Sequence, residues 1–415
     1  MRYIVLFLLP LLLFSESFKV ATYNVQNLFD AQYVGTEYDD YTLNRNWSNR
    51  MVEIILKHTA EVICDLNADI LGLQEIENRN ILDQLMKRLK KVGCSYTYSA
   101  ISQKKGAPIQ VALLSRHPIT KQRDIQVSYE ERVRNILEVE VDIKGHPLTL
   151  FVNHWKSKAY MGFESKRIKY AKALQSRIAK MPKKKEYIIL GDLNSDYNAY
   201  LTLEDKLNDT RGKTAFNDVL RTKIGDLLAE EGEMPKVSKG IHFTLWMELP
   251  LEQRWSHKFY GKKSSLDHIV IPRQMFDGKG VDYVNNSFRV FKRSYLFTKR
   301  GYINRWRYKK GKHRGKGYSD HLPVYAFFST KPYVAERKKK TVHKIETKSI
   351  EDLYAIKSLE SKVRLDDVTV VLKRGRYAVV KQRENGRGIY LYGCAGRLKE
   401  GYKYDLLVEG IKIYY

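Results

Sequence analysis

The sequence predicts a mixed α/β chain, α+β in its layering, that ends in a small all-β module. Two observations in the first 330 residues carry the α/β part: short apolar runs end in acids and amides, and stretches of helical periodicity lie between them. A third carries the tail, where residues 351–415 hold four short runs separated by glycines and charged turns. The clearest single run is Ile188-Ile189-Leu190-Gly191-Asp192-Leu193-Asn194-Ser195-Asp196. It predicts a buried strand that delivers polar groups to the rim of a sheet. On an extended chain Asp192 and Asn194 face the same way, so the pair suits holding a water and a phosphoryl oxygen together. A strand followed by a plain Asx-turn is the bland alternative.

Taken in order, the chain opens with Arg2, the apolar run of residues 4–14, and small residues at Ser15 and Ser17. This pattern predicts a signal peptide over residues 1–17. The apolar run has eleven residues and contains Pro10, too short for a helix across a bilayer core of about 30 Å. An uncleaved anchor and a buried N-terminal strand are the alternatives. No later apolar stretch is long enough to span. The expected protein is therefore secreted or periplasmic, monomeric, and without stable membrane insertion once the signal is removed.

The formal net charge of +27 points to polyanionic partners bound in a salt-sensitive way. Three cysteines, Cys64, Cys94 and Cys394, have neither metal-cluster spacing nor the number needed for a disulfide framework. Cys64 reads as a core residue in an apolar helical pattern; a Cys64–Cys94 bridge is the alternative in an exported chain.

Residues 18–29 begin as an alternating strand and end in the amides Asn24 and Asn27. A helix is expected within residues 48–66, where Met51, Ile55, Val62 and Leu66 recur near helical spacing. The next strand, residues 69–73, runs into Gln74-Glu75-Ile76-Glu77-Asn78 and again places a carboxylate at the rim. Alternating runs at 148–152 and 266–271 predict further strands, and residues 165–181 a basic helix. Residues 210–240 are polar and mixed, and are expected to cross the surface.

Five of these segments form an ordered set. Thr22-Tyr23-Asn24, Leu73-Gln74-Glu75, Gly191-Asp192-Leu193-Asn194, Leu266-Asp267-His268 and Ser319-Asp320-His321-Leu322-Pro323 resemble, in that order, the motifs of the endonuclease/exonuclease/phosphatase family, which includes deoxyribonuclease I. Residues 111–119 resemble its central strand pair. Asn153-His154-Trp155-Lys156-Ser157-Lys158 resembles the histidine motif of its secreted nucleases. The resemblance covers residues 18–330. It implies a four-layer β-sandwich of two mixed sheets flanked by helices, with the active site at one edge.

It also implies roles that phosphodiester chemistry supports. Glu75 is the candidate ligand for Mg²⁺ or Mn²⁺, with Asn24 supporting the metal or the phosphate, Asp320 as a further contact, and Ca²⁺ as a possible helper ion. Asp192 orients and deprotonates the attacking water, and Asn194 holds it or the phosphate. His321 acts at the phosphate as general acid or charged donor, and Asp267 sets its tautomer and favours its protonated form. His154 is a second donor to the phosphate. His268 follows Asp267 on a strand, points to the opposite face, and reads as structural.

Arg134 is a candidate contact to the substrate backbone. Trp155, Lys156 and Lys158 beside His154 are candidate phosphate contacts. From residue 288 to 317 there are twelve Lys or Arg and no acid, interleaved with Phe291, Tyr295, Phe297, Tyr302, Trp306 and Tyr308. Cations beside rings suit a flexible or single-stranded nucleic acid, so Arg305, Trp306 and Arg307 join the candidate substrate residues. The segment is expected to overhang the catalytic face. A solvated loop is the bland alternative.

Residues 331–350 form a Lys-rich linker. Residues 351–415 resemble the OB-like modules appended to some exported nucleases, small barrels that bind single strands or oligosaccharides. From residue 331 on, 20 basic residues face 11 acidic ones. The sequence thus points to an exported, divalent-metal-dependent nuclease, on DNA before RNA and endonucleolytic. The rivals are a phosphodiesterase or phosphatase on lipid or sugar phosphates, such as a sphingomyelinase, and a non-catalytic polyanion-binding protein. A lipid-acting member is expected to carry an exposed apolar hairpin.

Overall fold

Each polar-rimmed apolar run becomes a strand. The computed structural model describes residues 17–331, 345–356, 359, 362–392, 395–408 and 410–411. The expected signal peptide lies outside the described residues apart from Ser17, and the expected linker is described only at Lys331 and from Ile345 onward.

One seven-stranded sheet contains β1 (Ser17–Leu28), β2 (Ile70–Ile76), β3 (Tyr98–Ile101) and β4 (Gln110–Ser115). They run in the order Asp282–Tyr283, Val324–Ser329, β1, β2, β4, β3, with Arg289–Val290 also pairing Val324–Ser329. A six-stranded sheet has the order His242–Thr244, Asp267–Pro272, β8 (Tyr187–Asp192), β7 (His146–His154), β6 (Ile136–Ile143), β5 (Ile119–Ile125). In these sheets β1 with β2 and β7 with β8 are parallel, which aligns the carboxyl ends of all four strands at one rim.

Period-two alternation decides which face each residue covers. In β1 and β2, Val20 and Ile70 point into the core between the sheets, where they meet Leu150, Val152, Ile188 and Leu190. Ala21, Tyr23, Leu71 and Leu73 point outward to a second core. That second core is closed by α1 (Asn49–Leu66) and α2 (Arg79–Lys91). Helix α1 turns Met51, Val52, Ile55, Leu56, Val62, Ile63 and Leu66 inward at three- and four-residue spacing. Helix α3 (Glu164–Ala179) covers the other sheet with Tyr170, Leu174 and Ile178. The result is helix, sheet, sheet, helix.

Gly72 marks where the two sheets touch. A Cβ there would lie 2.1 Å from Leu190 Cδ1, so a side chain at position 72 would have to displace the Leu190 side chain from the core between the sheets. Gly191 has a φ of 130°, and a Cβ there would lie 2.0 Å from the Asn153 carbonyl oxygen. Glycine therefore permits the last pairing of β7 with β8 before Asp192.

Residues 210–240 depart from the surface crossing expected of them. Ala215, Phe216, Leu220 and Met234 are buried, with a π-helical turn at Ala215–Val219 packed on α3. Their apolar residues are too widely spaced to show a period, so the sequence displays only the polar residues between them.

The C-terminal described residues form a bent five-stranded sheet with its own core of Ile350, Leu353, Val363, Leu365, Val368, Val370, Ala378 and Val380. The long strand Val363–Arg374 pairs with Lys403–Val408 along its first half and with Tyr377–Lys381 along its second. Register shifts lie between residues 365 and 368 and between 370 and 372. The helix Ile350–Tyr354 is capped by a reciprocal Ser349–Asp352 pair.

Cys64 of α1 is disulfide-bonded to Cys94, just beyond α2, with Cα atoms 5.6 Å apart. The bridge that stood as the alternative to a simple core cysteine is the arrangement found. It closes a separation of 30 residues, a loop for which chain entropy gives about 3–4 kcal/mol. Cys64→Ser is expected to lower unfolding stability by that order in urea titrations, and a reductant should shift the wild type but not the variant.

Candidate active site

Backbone irregularity at one rim assembles the site. β1 shifts register between Asn24 and Leu28, and β2 between Gln74 and Ile76. Glu75 sits in the second bulge with a φ of 68°, a conformation costing a non-glycine residue on the order of 1–3 kcal/mol. Bulges re-aim side chains, and this one directs the Glu75 carboxylate to Asn24. Asn24 Nδ2 donates to Glu75 Oε1 at 3.0 Å and to Asp192 Oδ2 at 3.1 Å, while the Asn27 amide donates to Glu75 Oε2 at 2.7 Å.

At the end of β8 the chain does not stay extended, as the sequence expectation for Asp192 and Asn194 required. Asn194 has a φ of 48°, and its N–H donates to Asp192 Oδ1 at 2.9 Å, an Asx-turn. The turn is compatible with chemistry because it uses only one carboxylate oxygen. Asp192 Oδ2 faces Asn24, His154 Nε2 at 3.6 Å and His321 Nε2 at 3.9 Å. The side-chain amide of Asn194 donates to the Trp155 carbonyl at 3.1 Å.

His321 Nδ1 lies 2.8 Å from Asp267 Oδ2, which also accepts from Ser256 Oγ at 2.5 Å. Ser319 Oγ fixes the loop by donating to the Asn24 carbonyl at 2.6 Å and accepting from the His321 amide at 3.0 Å. Asp267, Asp192 and Asp320 together outweigh the burial that opposes charge on His321 and raise its pKa well above the usual histidine range. Burial, with repulsion from Asp267 and Glu75, pushes Asp192 upward to about 7. His154 is moved the other way, chiefly by burial and then by the positive charge of Arg134 and His321, and stands neutral. The two histidines thus differ: one carries charge, the other a neutral ring with Nδ1 unpartnered.

The residues around Glu75 fit a divalent cation. Its carboxylate pKa is raised by burial and by repulsion from Asp320, so negative charge is crowded here, and the donors are hard oxygens. Two other groups bring potential ligand atoms within 4.8 Å: His257, Asp320 and His321, and Asp192, Asp267 and His321. Both depend on His321, whose Nδ1 is already committed to Asp267.

Several expected substrate contacts are elsewhere. Trp155 is fully buried, donates its indole N–H to Asn153 Oδ1 and stacks on Tyr170, so it is a core residue. Arg134 is buried and donates to the carbonyl oxygens of His154 and Trp155, at 3.1 and 3.0 Å. It holds the histidine loop and does not reach out to a substrate backbone. Lys158 is paired with Asp196 at 2.6 Å. Lys156 is half-buried, and burial, then the charges of Arg134, Lys166 and Arg167, lower its pKa.

Trp306 is also corrected: it is buried against Trp47, and its indole N–H donates to His313 Nδ1 at 2.9 Å. In the insertion, Phe291, Leu296, Ile303 and Trp306 fill the core under α1, while all twelve cations, Arg305 and Arg307 included, are exposed. A ring between cations looks alike in sequence whether it faces core or solvent, which is why the assignment of Trp306 failed. His268 is buried, with Nε2 2.8 Å from the Ser195 carbonyl.

His257 was missed by the sequence reading. It lies 4.8 Å from His321 ring to ring and 4.0 Å from Asp320, and burial holds its pKa down to about 4. No motif flagged it; only the backbone bridge of His257 to His321 brings it in. It starts a short hairpin, His257–Phe259 with Lys262–Ser264, whose Phe259 and Tyr260 are exposed beside Arg305.

A family model described as the endonuclease/exonuclease/phosphatase family matches residues 19–330. The chain belongs to that family. Membership supports metal-dependent phosphodiester hydrolysis as its reaction class. No curated protein matches it in sequence. Among solved structures it is similar to a humanized D. rerio TDP2 carrying 14 mutations, at 17% identity and TM-score 0.47, covering 76% of this chain and 99% of that one. It is also similar to a family protein from Bacteroides thetaiotaomicron, at 14% identity and TM-score 0.46, covering 76% and 98%. An AP endonuclease from Archaeoglobus fulgidus matches at 13% identity and TM-score 0.46, covering 74% and 98%. Among the described residues no helix is long and apolar enough to cross a membrane.

Because the His321 pKa is raised on folding, its charge contributes stability that is present below pH 6.5 and is lost as pH climbs through the raised value. Asp267→Asn is expected to lower the His321 pKa, read from its imidazole resonances in an NMR titration of the metal-free protein. An unchanged titration would show that Asp267 does not govern the ring.

Proposed function

We propose that this protein is an exported, divalent-metal-dependent nuclease that hydrolyses phosphodiester bonds of nucleic acid endonucleolytically, with DNA preferred. The carrying observation is the enclosed Asp192 carboxylate. It has one oxygen fixed by its own turn and the other turned toward a neutral and a charged histidine. A carboxylate whose pKa is brought to about 7 is poised to accept a proton near neutral pH.

In this reading Asp192 accepts the proton of the attacking water as its oxygen bonds to phosphorus. Asn24 and Asn194 hold the carboxylate in place. His321, charged and oriented by Asp267, donates to a phosphoryl oxygen as negative charge builds there, and His154 donates from a neutral ring. The scissile phosphorus–oxygen bond breaks, and its oxygen leaves with the proton that the charged His321 gives up, which returns that ring to its neutral form. A Mg²⁺ or Mn²⁺ ion held by Glu75, with Asn24 and Asp320 nearby, would supply further charge neutralisation; Ca²⁺ is the helper candidate. The exposed cations of residues 288–317 and the net charge of +27 support a polyanionic substrate. Export is supported by the N-terminal pattern and suits the Cys64–Cys94 bridge.

A second reading, a phosphodiesterase on membrane lipids, is favoured by one observation. The hairpin next to His321 exposes Phe259 by 50% and Tyr260 by 93%. Lys258, Lys262 and Lys263 flank those rings, which suits a polyanion equally.

Digestion of closed-circular plasmid, linear duplex, single-stranded DNA and RNA, with parallel assays on sphingomyelin vesicles, separates the readings. Nicking of the circle in Mg²⁺ or Mn²⁺, abolished by EDTA, is expected; cleavage of the vesicle lipid alone would overturn the nuclease. Asp192→Asn and His321→Ala should each lower kcat by about 10²–10⁴ or more, with circular dichroism unchanged. Near-wild-type turnover in either would refute its role.

A further inference from the structure

Among the described residues the catalytic rim draws no side chain from the C-terminal module, yet that module leaves an aromatic face open to solvent. Tyr377, Tyr390 and Tyr392 are exposed by 39%, 58% and 67%. The register explains why they cluster. Ala378 pairs with Leu391 and Val379 with Tyr390, so alternation places the three tyrosines on one side of the sheet and the core residues Ala378 and Val380 on the other. The Tyr377 and Tyr390 rings lie 6.0 Å apart and within 6° of parallel, and Tyr392 lies 5.2 Å from Tyr377. The ring pairs support the sheet on one side, but their outer faces stay in water, and a clustered ring patch of this kind marks a binding surface.

Charge selects the occupant. Residues 373–392 contain six Lys or Arg and one acid, Glu384. Arg374 stands directly opposite Tyr377 in the sheet. A neutral sugar stacks on rings but gains nothing from that surplus, whereas a nucleic acid uses both. A duplex keeps its base faces stacked inside, so near-parallel rings open to solvent meet base faces only where the strand is unpaired.

A contact ties the module to the segment that follows the Asp192 turn. The Arg376 guanidinium, adjacent to Tyr377, donates to the carbonyl oxygens of Leu201 at 2.5 Å, Thr202 at 3.1 Å and Leu203. It thereby closes the C-terminal end of the short helix Ala199–Thr202. Thr202 and Leu203 line one cavity with Lys158 and Asp196, which lies two residues beyond Asn194.

We propose that Tyr377, Tyr390 and Tyr392 form a base-stacking platform for single-stranded nucleic acid, on a module anchored through Arg376 to the helix Ala199–Thr202 that follows the Asp192 turn. The inference rests on the nuclease reading for its substrate class. The test is fluorescence anisotropy of a labelled oligothymidylate of about 20 nucleotides, long enough for a module with a site of about 4–16 nucleotides, on the full chain in EDTA. Replacing all three tyrosines by alanine should weaken binding by about tenfold or more, whereas replacing all three by phenylalanine should preserve it, since stacking needs the ring alone. Unchanged affinity in the alanine variant, equal loss in the phenylalanine variant, or displacement of the oligonucleotide by a neutral oligosaccharide would each overturn the proposal. A wild type that cleaves no nucleic acid would instead sink the nuclease reading, while the anisotropy result would still decide the tyrosine face.

Discussion

Enclosure of the Asp192 carboxylate is the constraint on which the rest of the site depends. A buried charge is tolerated only when hydrogen-bonded or matched by opposite charge, and Asp192, 2% exposed, has no lysine or arginine partner among the described residues. It has an amide from β1, its own Asx-turn and two histidine edges. That is enough to hold the carboxylate in place and too little to hold its pKa at the solution value. Each partner comes from a different part of the fold: Asn24 from β1, His154 from β7, His321 from the loop before Val324–Ser329. They meet only if both sheets stop at the same rim. The bare backbone at Gly72 lets the sheets approach at Leu190, and that at Gly191 lets β8 pair with β7 up to Asp192.

A layer behind these residues keeps them aimed. Arg134 ties down the two carbonyls of the His154–Trp155 turn, and Trp155, though buried, accepts from Asn194 through its own carbonyl. The charge of Arg134 also helps keep His154 neutral. One buried guanidinium therefore acts on both the geometry and the protonation of the site. The basic insertion divides its labour in a similar way. Phe291 and Trp306 pack in the core under α1, and its cations give the outside a positive field that falls off over a Debye length of about 8 Å at physiological salt.

The five motif segments, their strands and the helices at 49–66 and 164–179 were legible in the sequence, because strands and helices announce themselves by local period and because Asp192, Asp267 and His321 sit in runs of distinctive neighbours; the pairing of the strands into two packed sheets was implied only by the family those motifs resemble. The acid-histidine pair of Asp267 and His321 spans 54 residues, and the Asn24–Asp192 hydrogen bond spans 168. The motifs pointed to the first pairing only through family likeness.

Sequence alone determined the motif-bearing strands, the helices within residues 48–66 and 165–181 and the polar residues at the strand ends, since those depend on short-range periodicity and turn chemistry. Tertiary structure decided which way each side chain faces and what charge it carries. Trp155, Trp306 and Arg134 look like surface contacts in the sequence and are buried supports in the fold. His257 carries no local signal and enters the rim through a backbone bridge. His154 and His321 are the same residue type in similar polar runs, yet one is neutral and the other charged. Both rings are buried; the carboxylate of Asp267 bonded to His321 at 2.8 Å, against the positive charges of Arg134 and His321 acting on His154, makes that difference, and it is a property of the packed sheets.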